Sequence, residues 1–138
     1  MLAAMIPIGT ALQTTGLSEI IAQNISSYAQ NLSLFWVLFI ILVVTMATTD
    51  IINNAATAVI MAPISTGIAL ELGYAIEPFL MVVAVGASCA FLTPIGHQCN
   101  TVVMGPGNYK FTDYWRLGRP MDILIILASI PMILFVWT

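Results

Sequence analysis

Apolar runs alternate along this chain with short polar interruptions, and the lengths of the runs predict helices. Residues 33–48 are almost wholly apolar and rich in aromatic and β-branched side chains, which predicts a spanning helix with Phe35 and Trp36 near one interface. Residues 78–94 predict a second helix, in which the small residues Gly86, Ala87, Ser88 and Ala90 permit close contact with a neighbour. Pro120 opens a last spanning helix, 120–138. Residues 1–13 read as a short apolar helix end containing Pro7 and Gly9, without the basic start of a signal peptide. In 14–32, Leu17, Ile20, Ile21 and Ile25 recur at helical spacing among polar residues, which predicts an amphipathic helix lying in the interface.

Two polar interruptions fall inside apolar sequence. Thr49-Asp50-Ile51-Ile52-Asn53-Asn54-Ala55-Ala56-Thr57 is one, and Thr93-Pro94-Ile95-Gly96-His97-Gln98-Cys99-Asn100 is the other. Backbone that leaves its helix at membrane depth must find partners in protein, in water or in a ligand. The first opens a stretch, 49–70, that Pro63, Ser65 and Gly67 break again, so a re-entrant helical hairpin is expected there. The second divides a broken helix over 78–107: it stops at Thr93-Pro94, turns at Gly96, and restarts at 101–104 until Gly105-Pro106-Gly107. Between hairpin and broken helix, Glu71 to Glu77 form a surface loop.

Composition makes lipid the solvent. Of 138 residues 60% are hydrophobic and 7% charged, with mean hydropathy +1.03; a soluble chain carries about 25% charged residues. An all-α, multi-pass integral membrane protein follows. The net charge of −3 makes no basic stripe, so nucleic acid is not a partner. Cys89 and Cys99 read as small buried hydrophobes. The bases Lys110, Arg116 and Arg119 all fall in 108–119, which assigns that loop to the cytoplasmic side and Thr138 to the outer side. The same count leaves 71–77 outside and 14–32 inside. Phe111, Tyr114 and Trp115 beside Arg116 read as an interfacial belt.

The chemistry of the interruptions suits ions. Helix N-termini attract anions, and unwound carbonyls attract Na+. Asn53 and Asn54 at a hairpin tip can donate and accept; Gly96 lets backbone approach an ion; His97 can donate to an oxyanion; Asn100 is expected to cap the following helix. Plainer readings stand beside these: Asn53-Asn54 as an ordinary interhelical turn, His97 as a bond to a neighbouring helix, and Asp50 as a solvated interfacial acid rather than an ion-pathway carboxylate. No acid–base pair or nucleophile–base set has usable spacing, so an enzyme is not expected.

The run 49–57, then Ala87-Ser88-Cys89-Ala90-Phe91-Leu92-Thr93-Pro94, then Asn100-x-x-Val103-x-Gly105-Pro106-Gly107, resembles the divalent anion:sodium symporter family. Tyr109-x-Phe111-x-Asp113-Tyr114-x-x-Leu117-Gly118-x-Pro120 is similar to the segment before that family's last helix. The resemblance covers about 35–138. It implies the C-terminal half of an inverted-repeat secondary transporter, each repeat giving a hairpin and a broken helix to a central site. It further implies that Thr49, the Ile52 carbonyl, Asn54 and Gly96 line a sodium site, and that Asn53, Asn54, Ala55 and His97 face the substrate. Asn53-Asn54-Ala55 stands where the family carries Ser-Asn-Thr, and His97-Gln98 where it carries Thr-Pro. Two hydroxyls lost and an imidazole gained fit members similar to sulfate permeases.

The expectation is therefore part of a sodium-coupled symporter of sulfate or dicarboxylate, in a bacterial or archaeal cytoplasmic membrane. Sodium is the coupling ion and no cofactor is expected. The N-terminal repeat is missing, so the chain is read as a fragment that does not transport alone; a homodimer is expected at full length. A channel-like pore subunit and a non-transporting anchor are the alternatives.

Overall fold

The computed structural model describes residues 32–137 and, before them, Pro7, Ala11, Thr14 to Gly16, Ile20, Gln23 and Asn24. The expected helix end at 1–13 and interfacial helix at 14–32 thus lie outside the described residues, those scattered positions apart. Five helices and no strand occur among the described residues: α1 Leu34–Ile51, α2 Asn54–Leu72, α3 Ile76–Ser88, α4 Gln98–Met104 and α5 Phe111–Trp137. α1, α2 and α5 are each long and apolar enough to cross a membrane. The chain is an α-helical membrane protein.

α1 runs three residues beyond the expected 33–48. Thr48, Thr49 and Asp50 look polar enough to end a membrane helix, but the two hydroxyls and one carboxylate oxygen of Asp50 find partners inside the protein. The hydroxyls of Thr45 and Thr48 donate back to the carbonyls of Ile41 and Val44, at 2.6 and 2.7 Å. The helix stops at Ile52, whose N–H still reaches the Thr48 carbonyl while its own backbone is extended.

α2 is unbroken, although Pro63, Ser65 and Gly67 predict interruption. Pro63 leaves the Val59 carbonyl without its usual donor, yet α2 continues through it; the hydroxyls of Ser65 and Thr66 both donate to the Ala62 carbonyl. The helix ends at Gly73, where φ is +71° and the left-handed turn suits a residue without Cβ. In α5, likewise, Pro120 does not open the last helix: α5 starts at Phe111 and carries Pro120 and Pro131 within it. Asp113 fixes that start, accepting from the Lys110 N–H at 2.8 Å.

α3 is the centre of the fold. It packs against α1, α2 and α5, and Phe79, Val82, Val83 and Ala87 on it are buried. α1 crosses it closely because Gly86 has no side chain: a Cβ there would fall 2.9 Å from the Thr45 Cβ. At thirteen residues α3 rises only about 20 Å. It ends at Ser88, and residues 89–97 run non-helically into α4. α5 leaves most of its apolar surface uncovered, including Leu124, Leu127, Met132 and Phe135.

Candidate functional site

The first backbone break is two residues long. Ile52 and Asn53 are both extended, and they connect α1 to α2. The Asn53 side-chain oxygen accepts the Ala56 N–H at 2.8 Å, and its carbonyl accepts the Thr57 N–H at 3.0 Å. Asn53 is therefore the N-cap of α2, which is one reason for an Asn here. The N–H groups of Asn54 and Ala55, ahead of these, have no intrahelical partner. The Thr49 hydroxyl sits 2.9 Å from Asn54 Oδ1 and 3.0 Å from the Ala87 carbonyl, so its single proton ties the tip to the end of α3. Asn54 is half-buried, and Thr49 is fully buried. Among the described residues no hydrogen bond reaches the Ile52 carbonyl.

The second break, 89–97, is folded around the first. Asp50 Oδ1 accepts the Leu92 N–H at 3.1 Å, and the Asp50 backbone carbonyl accepts the Thr93 hydroxyl. The Thr93 Oγ1 accepts the Gly96 N–H at 3.1 Å. Gly96 itself lies against the end of α1: a Cβ on it would meet the Thr49 carbonyl oxygen at 2.8 Å and the Asp50 Cα at 3.1 Å. Only glycine fits that approach. The two interruptions of the sequence are thus neighbours in space, joined through Thr49, Asp50, Thr93 and Gly96.

Asn100 does not cap the following helix. That helix starts at Gln98, and its N-cap is His97, whose Nδ1 accepts the Cys99 N–H at 3.2 Å. Nδ1 accepts, so the ring proton is on Nε2, and His97 is exposed. Asn100 lies one turn further in. Its amide donates to the carbonyls of Ala90 and Thr93, at 2.8 and 3.2 Å, and its own carbonyl accepts the Tyr114 hydroxyl at 2.8 Å. It replaces hydrogen bonds that the unwound backbone has lost, and links that segment to α5.

Asp50 is 5% exposed, so the solvated reading of it fails. On α5 the Arg119 guanidinium stacks over Trp115 at 4.4 Å. Thr93 and Asp122 were not among the sequence candidates, and Asn100 was one only as a helix cap. A signal for Thr93 and Asn100 was their position inside the polar interruption; for Asp122 it was an acid within an apolar helix. No group of three His, Cys, Asp or Glu is gathered for a metal among the described residues. A cavity of about 270 Å³ lies between α4 and α5, with Phe91, Val103, Tyr114 and Met121 on its wall.

Comparison with known proteins gives the family. The model of the sodium:sulfate symporter transmembrane region matches residues 1–138. An uncharacterized transporter of Synechocystis is 36% identical over 99% of this chain and 22% of its own length. One of Escherichia coli is 37% identical over 96% of this chain, again 22% of its own length. Sodium/sulfate cotransporter 2 of Chlamydomonas reinhardtii is 29% identical over 93% of this chain and 15% of its own length. The chain spans about a fifth of the length of the first two relatives. It belongs to the sodium:sulfate symporter family, as part of that family's transmembrane region.

Proposed function

We propose that this chain supplies one half of the central site of a sodium-coupled symporter for sulfate or a dicarboxylate. The observation that supports it most is the meeting of two unwound backbone stretches, with Gly96 against the Thr49 carbonyl and Asp50 holding Leu92. In this reading α1 and α2 make a hairpin with Ile52 and Asn53 at its tip, and 76–104 is the broken helix of the same repeat. Oxygens suit the coupling ion: the Thr49 hydroxyl, the Ile52 carbonyl, Asn54 Oδ1 and backbone beside Gly96 would surround Na+. N–H groups suit the anion. The free N–H groups of Asn54 and Ala55 lie at the positive end of α2, the Asn53 amide is exposed, and His97 Nε2–H is free to donate. Asn54 belongs to both sets, so Na+ on its oxygen would orient its amide toward the anion.

Sodium binding would order the tip, anion binding would follow, and rigid-body movement of this half would alternate access. The other half-site would come from a first repeat, in a homodimer at full length. The test is Asn54→Ala in the full-length protein reconstituted into liposomes. Sodium-driven sulfate or dicarboxylate uptake is expected to fall to background. Unchanged sodium-driven uptake overturns the reading, and unitary conductance steps in place of saturable flux would replace it with a pore.

A further inference from the structure

The turn Gly105-Pro106-Gly107 and the run Tyr109-x-Phe111-x-Asp113-Tyr114 take no part in the ion sites proposed above. Residues of that run meet in one place, the cavity of about 270 Å³ between α4 and α5. Three aromatic side chains, Phe91, Tyr109 and Tyr114, line it together with Asn100, Asp113 and Met121. The volume far exceeds the ~30 Å³ that one water takes up, so the space admits a small organic group.

The lining groups are held in position. A Cβ on Gly107 would collide with the Tyr109 ring, so that ring folds back over the turn. Between the two, Asn108 takes a left-handed backbone at φ +51°, which Asn tolerates. The Tyr109 and Tyr114 rings sit 6.2 Å apart at 68°. The Tyr114 hydroxyl donates to the Asn100 carbonyl, which anchors the second ring. Asp113 is half-buried, and its Oδ2 accepts the Lys110 N–H at 2.8 Å. Asn100 gives its side-chain N–H groups to the Ala90 and Thr93 carbonyls.

Acceptors and π-faces are what remain for a guest. Among the described residues no donor reaches Asp113 Oδ1 or Asn100 Oδ1. No base is among the lining residues described. Tyr114, Leu117, Gly118 and Met121 make one face of α5, whereas Arg116 and Arg119 fall off that face and Arg119 is stacked on Trp115. An anion would meet a carboxylate with no cation against it. A bare metal ion needs a close shell of oxygens, and rings and apolar side chains form most of this wall. An alkylammonium matches both parts: π-faces attract its diffuse positive charge, and the carboxylate pairs with it.

We propose that this cavity binds a small organic ammonium group, with its charge against Asp113 Oδ1 and the Tyr109 and Tyr114 faces. The site is separate from the sodium and anion sites and does not depend on them. Asn100 forms part of its wall and also holds Ala90 and Thr93, so the bound group braces the unwound segment against α5. A free amine and the headgroup of phosphatidylcholine carry the same chemistry.

The experiment follows thermal unfolding of the full-length protein without Na+ or sulfate. In detergent, choline chloride is titrated against KCl at equal ionic strength. In nanodiscs, phosphatidylcholine is compared with phosphatidylglycerol. A saturable rise in Tm with choline assigns a free amine, and a rise only with phosphatidylcholine assigns a lipid headgroup; either supports the site. Asp113→Asn keeps an acceptor for the Lys110 N–H but removes the charge, and should weaken the response about tenfold. Tyr109→Ala should weaken it about fivefold, and Tyr109→Phe, which keeps the ring, should match wild type. No rise above the controls in either arm overturns the proposal, as when another segment of the full-length protein fills the cavity. A rise that Asp113→Asn leaves unchanged also overturns it. Should Asp113→Asn not fold, Tyr109→Ala decides in its place, and a response equal to wild type is then the contrary result. Failure here leaves the symporter reading standing, because no transport is measured.

Discussion

The two backbone breaks solve one problem in different ways. At Ile52–Asn53 the backbone groups that are answered are answered locally, while the Ile52 carbonyl is left open: Asn53 caps α2 with its own oxygen, and Ile52 N–H still reaches the last turn of α1. Across 89–97 the answers come from Asp50, more than forty residues back along the chain, and from α4, just after the segment. Leu92 N–H needs Asp50, Ala90 and Thr93 carbonyls need Asn100, and the Pro94 carbonyl needs Thr101. The first break is set by its own sequence, and the second is moulded on the first. A ligand that moves the tip therefore moves the unwound segment, because Asp50 belongs to one and holds the other.

Substitutions that separate the two breaks should cost most. Gly96→Ala puts a methyl group 2.8 Å from the Thr49 carbonyl and 2.9 Å from the Ala90 Cβ. The expected loss is about 3 kcal/mol of stability, from overpacking against backbone, read by thermal unfolding of the full-length protein. Sodium-driven uptake should be lost with it, and wild-type uptake in this variant would mean that the breaks are not in contact.

Asp50→Ala comes next. It leaves the Leu92 N–H without its acceptor, at about 2 kcal/mol, and should loosen 89–97 while the tip stays formed. Asn53→Ala removes only an N-cap, at about 1 kcal/mol. Thermal unfolding should rank it below the other two, and a larger loss than Asp50→Ala would reverse the dependence of one break on the other.

Much of this was legible in the sequence. The apolar runs pointed to helices, though the one expected over 78–94 stops at Ser88 and the last begins at Phe111, and Asn53-Asn54 and Gly96-His97 fall in the two breaks. What the pattern misjudged was the meaning of polar and proline residues at membrane depth. Thr48, Thr49 and Asp50 belong to α1 because their side chains bond inward, and Pro63 and Pro120 sit within helices that continue past them. Asn100 was read as a cap because its neighbours looked like a helix start; its bonds run back to Ala90 and Thr93, a pairing that only the three-dimensional path of the loop creates. Asp122 was one acid among six in the sequence, and its partial burial depends on how α5 packs.

Hydrogen exchange on the full-length protein, resolved to the amides of 52–57 and 89–97, tests the dependence directly. In wild type the N–H groups of Ala56, Thr57, Leu92 and Gly96 should all be protected. Asp50→Ala should release Leu92 and Gly96 and leave Ala56 and Thr57 as they were. Rapid exchange of Leu92 and Gly96 in wild type, or equal release at both breaks in the variant, would contradict it.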